Sequence, residues 1–218
     1  MVRRTKGDAL ETREKLLDAA EWLFQAQGVS ATSLEAIARR AGVSRGAIYW
    51  HFKDKGALFN AMMDRITLPL ETAFDIAACP AAAPSTGKFD LLLQIRQATL
   101  DALSQIVNDG QMRRILEVST QKVEYVDALQ AVRLRHIAIM RGFVSRFEQA
   151  IASAASSARV SLPMPAHTAA LGFHALVEGL IQNWLLESQA FDLIEVGRRT
   201  IDAYLGGLGI AAGFEAEM

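Results

Sequence analysis

Apolar residues return every three or four positions along almost the whole chain, and nowhere do they alternate with period two over a strand's length. The pattern therefore predicts an all-α protein of about nine helices and no sheet. A first helix spans 12–27, with Leu16, Ala19, Ala20, Leu23 and Phe24 on its buried stripe and Gly28 at its end. A second short helix carries Leu34, Ile37, Ala38 and Ala41 inward, with Arg39 and Arg40 opposite, and a third carries Val43, Ala47, Ile48 and Phe52. The fourth opens at Asp54 and continues through Leu58, Met62, Ile66, Leu70 and Phe74 until the proline-, glycine- and serine-containing stretch 79–87 breaks it. Helices follow from 88 to the Asn108-Asp109-Gly110 stop, at 111–122, 126–158, 166–188 and 193–205, with Pro163 and Pro165 in one connection and a frayed glycine-rich end from Gly206.

The second and third helices form the most informative unit. Thr32-Ser33-Leu34-Glu35 has the form of a capping box, with Thr32 as the cap and Glu35 reaching back. Gly42 stands where the helix must stop in a backbone conformation that glycine adopts cheaply, and Ser44 is a natural cap for the next helix. While the inner face of that third helix is apolar, Arg45, Tyr49, Trp50 and His51 face outward, and Gly46 and Ala47 are small enough to bring backbone near phosphate. Two short helices joined by a tight glycine turn match the helix-turn-helix, whose second helix enters the major groove. Such pairs also occur in helical proteins that never meet nucleic acid, but a purely structural helix rarely spends tyrosine, tryptophan and histidine on solvent. Ser33 and Lys55 stand at helix starts, where backbone N–H groups and a cation act together on a phosphate. Arg3, Arg4 and Lys6 form a short basic arm, read either as a solvated tail or as a second contact with the duplex.

Net charge near −1 looks wrong for a DNA binder until it is divided. Residues 1–56 hold ten Lys and Arg against seven Asp and Glu, and the rest hold thirteen against seventeen. A basic head on an acidic body concentrates phosphate attraction at the motif. With 51% hydrophobic and 22% charged residues the composition is that of an ordinary globular protein. No apolar run reaches a membrane span, no apolar segment follows the basic N-terminus, and the lone Cys79 suits a reducing compartment, so a cytoplasmic protein is expected.

The run TREKLLDAAEWLFQAQGVSATSLEAIARRAGVSRGAIYWHFKDKGALF, from Thr12 to Phe59, resembles the amino-terminal domain of the TetR family of bacterial transcriptional regulators. VEGLIQNWLLESQAFDL, from Val177 to Leu193, resembles the carboxy-terminal region of its AcrR-like branch, which represses multidrug efflux pumps. The resemblance implies a DNA-binding domain at 1–56, a ligand-binding and dimerisation domain at 57–218, and contact of Lys55 with the DNA backbone. It also implies a small-molecule inducer, apolar and in some cases cationic. Met62, Ile66, Phe74, Leu92, Met140, Phe143, Phe147, Phe173 and Val177 could line its site, beside the polar Arg96, Gln121, His174 and Glu178; such residues also simply fill cores. Glu178 lies among Phe173, Val177 and Ile181, so if interior it needs Arg96, a hydrogen bond or a cationic guest.

Helices eight and nine carry more apolar surface than one core face requires, as Phe173, Leu176, Val177, Leu180, Ile181, Trp184 and Leu185 show. A homodimer through these two helices would bury the excess and set two reading helices on successive major grooves of operator DNA, about 34 to 36 Å apart. The expected function is thus a repressor released from a palindromic operator when ligand displaces the fourth helix, or a related regulator of a metabolic gene. The competing class is a small helical enzyme. His51, His136, His167 and His174 belong to no metal-binding pattern, and no nucleophile elbow, phosphate loop or cofactor motif is present, so no catalytic, metal or cofactor site is expected. A DNA-packaging protein would be basic throughout, which leaves the acidic body unexplained.

Overall fold

The computed structural model describes residues 6–78 and 90–210. Its helices are α1 (Lys6–Gln27), α2 (Leu34–Arg40), α3 (Arg45–His51), α4 (Lys55–Ala78), α5 (Asp90–Asn108), α6 (Gly110–Gln121), α7 (Gln130–Ala158), α8 (Ala166–Leu186) and α9 (Leu193–Gly207), with a 3-10 turn at Asp127–Leu129 before α7. There is no strand among the described residues, and no helix there is long and apolar enough to cross a membrane. Arg3, Arg4 and Cys79 lie outside the described residues, and Phe74 lies outside the described side chains.

Most boundaries fall within a few residues of those expected, and the exceptions have physical causes. Helix α1 starts at Lys6 instead of residue 12, because its first turns are exposed and lack the apolar stripe that periodicity detects. Asp8 in the first turn suits the helix dipole. The end of α9 is not frayed: the helix runs to Gly207, and Leu208 and Ile210 beyond it are buried.

Two compact units emerge, one of residues up to Leu68 with Gln111–Ile137, the other of Pro69–Gly110 with the chain from Ala138 onward. In the first, Leu16, Leu17, Ala20 and Phe24 of α1 form a dry face with Ile37, Ile48, Leu58 and Phe59 also fully or almost fully buried. Compactness thus groups 111–137 with the head, where the motif had suggested a division at residue 56. The bonds along α6 explain it. Gln25 donates to Glu117 (2.8 Å), Val29 N–H donates to the Lys122 carbonyl (2.9 Å), and the Arg114 guanidinium lies 4.4 Å from the Trp22 ring centre.

At the centre of this unit is a carboxylate that periodicity overlooked. Glu21 occupies a stripe position with Leu17, Ala20 and Phe24 and is only 1% exposed. It pairs with Arg65 of α4, accepts from Gln111 of α6 (3.0 Å) and faces Arg114 at 3.8 Å. Arg65 also donates to Asp18 (2.7 Å) and Glu14 (2.5 Å). Burial pushes the Glu21 carboxyl upward, while the bond and charge of Arg65, the Gln111 bond and the Arg114 charge pull it back.

In the second unit α9 packs on both α5 and α8. Gly197 permits the first contact, since a methyl there would lie 2.5 Å from Leu103 Cδ1. Arg96 of α5 binds both oxygens of Asp202 on α9 at 2.6 and 2.9 Å, a bidentate pair. Phe147 and Phe173 meet with ring centres 4.1 Å apart, and the Tyr204 hydroxyl donates to the Ala169 carbonyl (2.8 Å).

Removing one member of a buried pair strands the other. Arg65→Met is expected to destabilise the fold by about 3 to 5 kcal/mol in denaturant unfolding, and Arg65→Met with Glu21→Gln should recover part of the loss; full stability in the single variant would show that Glu21 does not depend on it. Gly42 has φ +69° and open space around its Cβ direction, so Gly42→Ala tests backbone strain alone. It should cost roughly 1 to 2 kcal/mol, and Gly42→Asn less.

Candidate nucleic-acid interface

Three local devices set α3 in place. Ser33, rather than Thr32, caps α2: its Oγ accepts from Ala36 N–H at 3.1 Å. Thr32 is buried and donates to the Gly28 carbonyl (2.7 Å); with the cap moved to Ser33 the third helical position is Ala36, so the reciprocal bond of the expected capping box does not form. Helix α2 closes with Gly42 N–H on the Arg39 carbonyl (3.2 Å) and Val43 N–H on the Ala38 carbonyl (3.0 Å), the paired bonds of a Schellman stop with glycine in the left-handed region. Ser44 then caps α3 as expected, accepting from Ala47 N–H at 3.3 Å.

The two faces of α3 separate cleanly. Ala47, Ile48 and Phe52 are buried, and Arg13 of α1 lies over the Phe52 ring at 5.6 Å. Outward stand Arg45 and Trp50, each 73% exposed, and Tyr49 at 45%, with Ser33, Ser44 and Gly46 also exposed. His51 is half-buried, and its ring meets Trp50 edge-on at 4.6 Å. Ala47 does not join this face. Its methyl is in the core and its amide donates to Ser44 Oγ.

Glu35 of α2 is the residue that sequence reasoning misassigned. One of its oxygens accepts from the Tyr49 hydroxyl (2.9 Å) and pairs with Arg45 (3.2 Å), so it touches two of the outward groups. Its own backbone amide and the Tyr49 bond hold the carboxyl below the usual range. The Lys55 ammonium, expected to anchor a phosphate, donates within the chain to the Val29, Ser30 and Thr32 carbonyls at 2.7, 2.8 and 2.9 Å. An ammonium has three donors, and all three are engaged. Lysine at the start of α4 thereby ties down the α1–α2 loop, while Asp54 caps α4 by accepting from Ala57 N–H (2.8 Å). Loop carbonyls carry no sequence pattern, so spacing could not reveal this role.

The expected ligand residues divide between the units. Met62, Ile66 and Gln121 belong to the first, where the two apolar side chains are buried and Gln121 is exposed. Leu92, Phe147 and Phe173 are buried in the second, with Met140, Phe143, His174 and Val177 partly exposed. Glu178 is not the interior carboxylate that was anticipated. It is 36% exposed, accepts from Gln182 (3.1 Å) and lies 3.6 Å from His174, whereas Arg96 is bound to Asp202 instead.

Comparison with known proteins agrees with this architecture. The family model for "Bacterial regulatory proteins, tetR family" matches residues 16–62, and that for "MAATS-type transcriptional repressor, C-terminal region" matches 90–209. The chain is 35% identical over 211 residues to the HTH-type transcriptional regulator TtgR of Pseudomonas putida, covering 97% of this chain and 98% of the relative. The crystal structure of NalD, the secondary repressor of the MexAB-OprM multidrug efflux pump in Pseudomonas aeruginosa, superposes with a TM-score of 0.79 at 33% identity, over 92% of this chain and 97% of NalD. A complex of SmeT with triclosan superposes with a TM-score of 0.78 at 27% identity, over 90% of each chain. SmeT is the repressor of the Stenotrophomonas maltophilia multidrug efflux pump SmeDEF. With a two-part helical fold, an exposed reading helix and these matches along nearly its full length, the chain belongs to the TetR family of bacterial regulatory proteins and is a DNA-binding transcriptional repressor.

Proposed function

We propose that the chain represses a multidrug efflux system from a palindromic operator and leaves it when a small apolar or cationic compound binds. The observation that carries the DNA half is the two-faced α3, with Ala47, Ile48 and Phe52 buried and Arg45, Tyr49 and Trp50 presented outward. Arg45 is the leading base-reading group, since an arginine fork fits guanine's major-groove edge. Tyr49, Trp50, Ser33, Ser44 and the backbone at Gly46 meet the sugar-phosphate chain, with His51 beside them. The functional division of a DNA-binding head near residue 56 from a ligand-binding and dimerisation body follows the motif. Such a regulator works where the chromosome is, in the cytoplasm, and needs no catalysis.

The ligand half rests on likeness to repressors of efflux pumps and to a relative that holds triclosan. Met140, Phe143, His174 and Val177 offer a partly open, mostly apolar set in the second unit, beside the packed Phe147 and Phe173. Ligand would favour a form with α4 displaced, so the reading helices no longer match successive grooves. A preference of about 1 to 3 kcal/mol for that form gives a 5- to 150-fold loss of operator affinity.

The homodimer runs through α8 and α9. In the single chain only Ala169, Ala170, Phe173 and Trp184 of α8 are buried, while Leu171 is 44% exposed, Leu186 71% and Ile194 of α9 37%. That excess of open apolar surface fits an isologous four-helix contact.

Arg45→Ala should weaken a duplex selected from a randomised library by about 1 to 3 kcal/mol and relax base choice at one position; Tyr49→Ala should weaken selected and scrambled duplexes alike. Full affinity in both variants would remove α3 as the reader. Sedimentation tests the dimer: Leu171→Glu with Leu186→Glu should shift the protein from twice the chain mass to once, and an unchanged dimer would place the interface elsewhere.

A further inference from the structure

On the reading that α3 enters the groove, Glu35 has a role beyond starting a helix. Its carboxylate projects from α2 to the outer face of α3, where one oxygen holds both the Tyr49 hydroxyl and the Arg45 guanidinium. The guanidinium also lies 5.7 Å from the Tyr49 ring centre, which closes a three-residue set. Arg45 is 73% exposed and Glu35 42%, so no buried charge forces them together.

We propose that Glu35 is a specificity-determining residue, which orients Arg45 toward base edges and disfavours its pairing with phosphates. A guanidinium carries five N–H donors in a planar fork. One edge can stay on Glu35 while another reaches guanine O6 and N7, a geometry in which the carboxylate buttresses the arginine. Transfer of Arg45 to a phosphate instead gives up the Glu35 bond and sets two anions side by side. Every duplex offers phosphates, but only a matching site offers the base edge, so the carboxylate penalises random DNA more than the operator. Tyr49, tethered to the same oxygen, is held in register with the arginine.

The test uses the full-length protein, a duplex that the wild-type protein selects from a randomised library, and a scrambled duplex of equal composition. Glu35→Gln keeps an oxygen for Tyr49 but removes the charge. It should tighten binding to the scrambled duplex by about 3- to 10-fold at 0.1 M salt and steepen that duplex's salt dependence by about 0.9 in slope, one more phosphate contact. Affinity for the selected duplex should hold or fall, so the ratio of the two drops by at least about fivefold. In an Arg45→Ala background the same substitution should leave the salt slope unchanged, because the effect acts through Arg45. An unchanged or higher ratio would overturn the proposal, as would parallel losses on both duplexes tracking a lower Tm, the result of a mere helix-start role. Failure of the wild-type protein to select any duplex would sink the groove reading and this inference together; selection with an inert Glu35→Gln would sink the inference alone.

Discussion

The burial of one side of a seven-residue helix is the constraint on which the DNA-binding surface depends. Helix α3 is too short to be stable alone, so Ala47, Ile48 and Phe52 must find an apolar seat, and that seat fixes which residues are left outside. Once Ile48 is fully buried, 3.6-residue geometry turns Tyr49 and Trp50 outward, and Arg45, at the first position of the helix, keeps its long side chain exposed beside them. The apolar pattern and the chemical surface are two sides of one periodicity.

Polar bonds then hold the seat. Lys55 engages three carbonyls of the α1–α2 loop, Ser33, Ser44 and Asp54 close three helix starts, and Glu21 joins α1 to α4 through Arg65 and to α6 through Gln111. A buried carboxylate among cations is poor evidence of net stability, because desolvation offsets much of the attraction. It does restrict geometry: α1, α4 and α6 must be placed so that the partners reach Glu21 together. In the second unit the Arg96–Asp202 pair and the close Gly197–Leu103 contact do the same for α5 and α9.

Much of this is legible in the sequence. The all-helical class, the Gly42 stop, the Ser44 and Asp54 caps and the two faces of α3 all follow from local pattern, and each is met in the fold. Where two neighbours had equal capping chemistry, as at Thr32 and Ser33, local rules could not choose, because tertiary burial of Thr32 decided the matter. The bonds of Lys55 are not legible in the sequence for a related reason: its partners are backbone carbonyls brought near only by folding. The apolar neighbours of Glu178 suggest an interior position, yet in the single chain α8 is open on the side that carries it. Glu21 could have been found, since a carboxylate on the stripe of Leu17, Ala20 and Phe24 signals a buried charge with distant partners.

Guanine-N7 methylation interference on a library-selected duplex tests the central claim most directly, because N7 lies in the major groove. Two clusters of interfering guanines, one helical turn or about 34 to 36 Å apart, are the result expected of paired α3 helices. Interference confined to minor-groove adenine N3, or none at all, would contradict α3 as the reading helix.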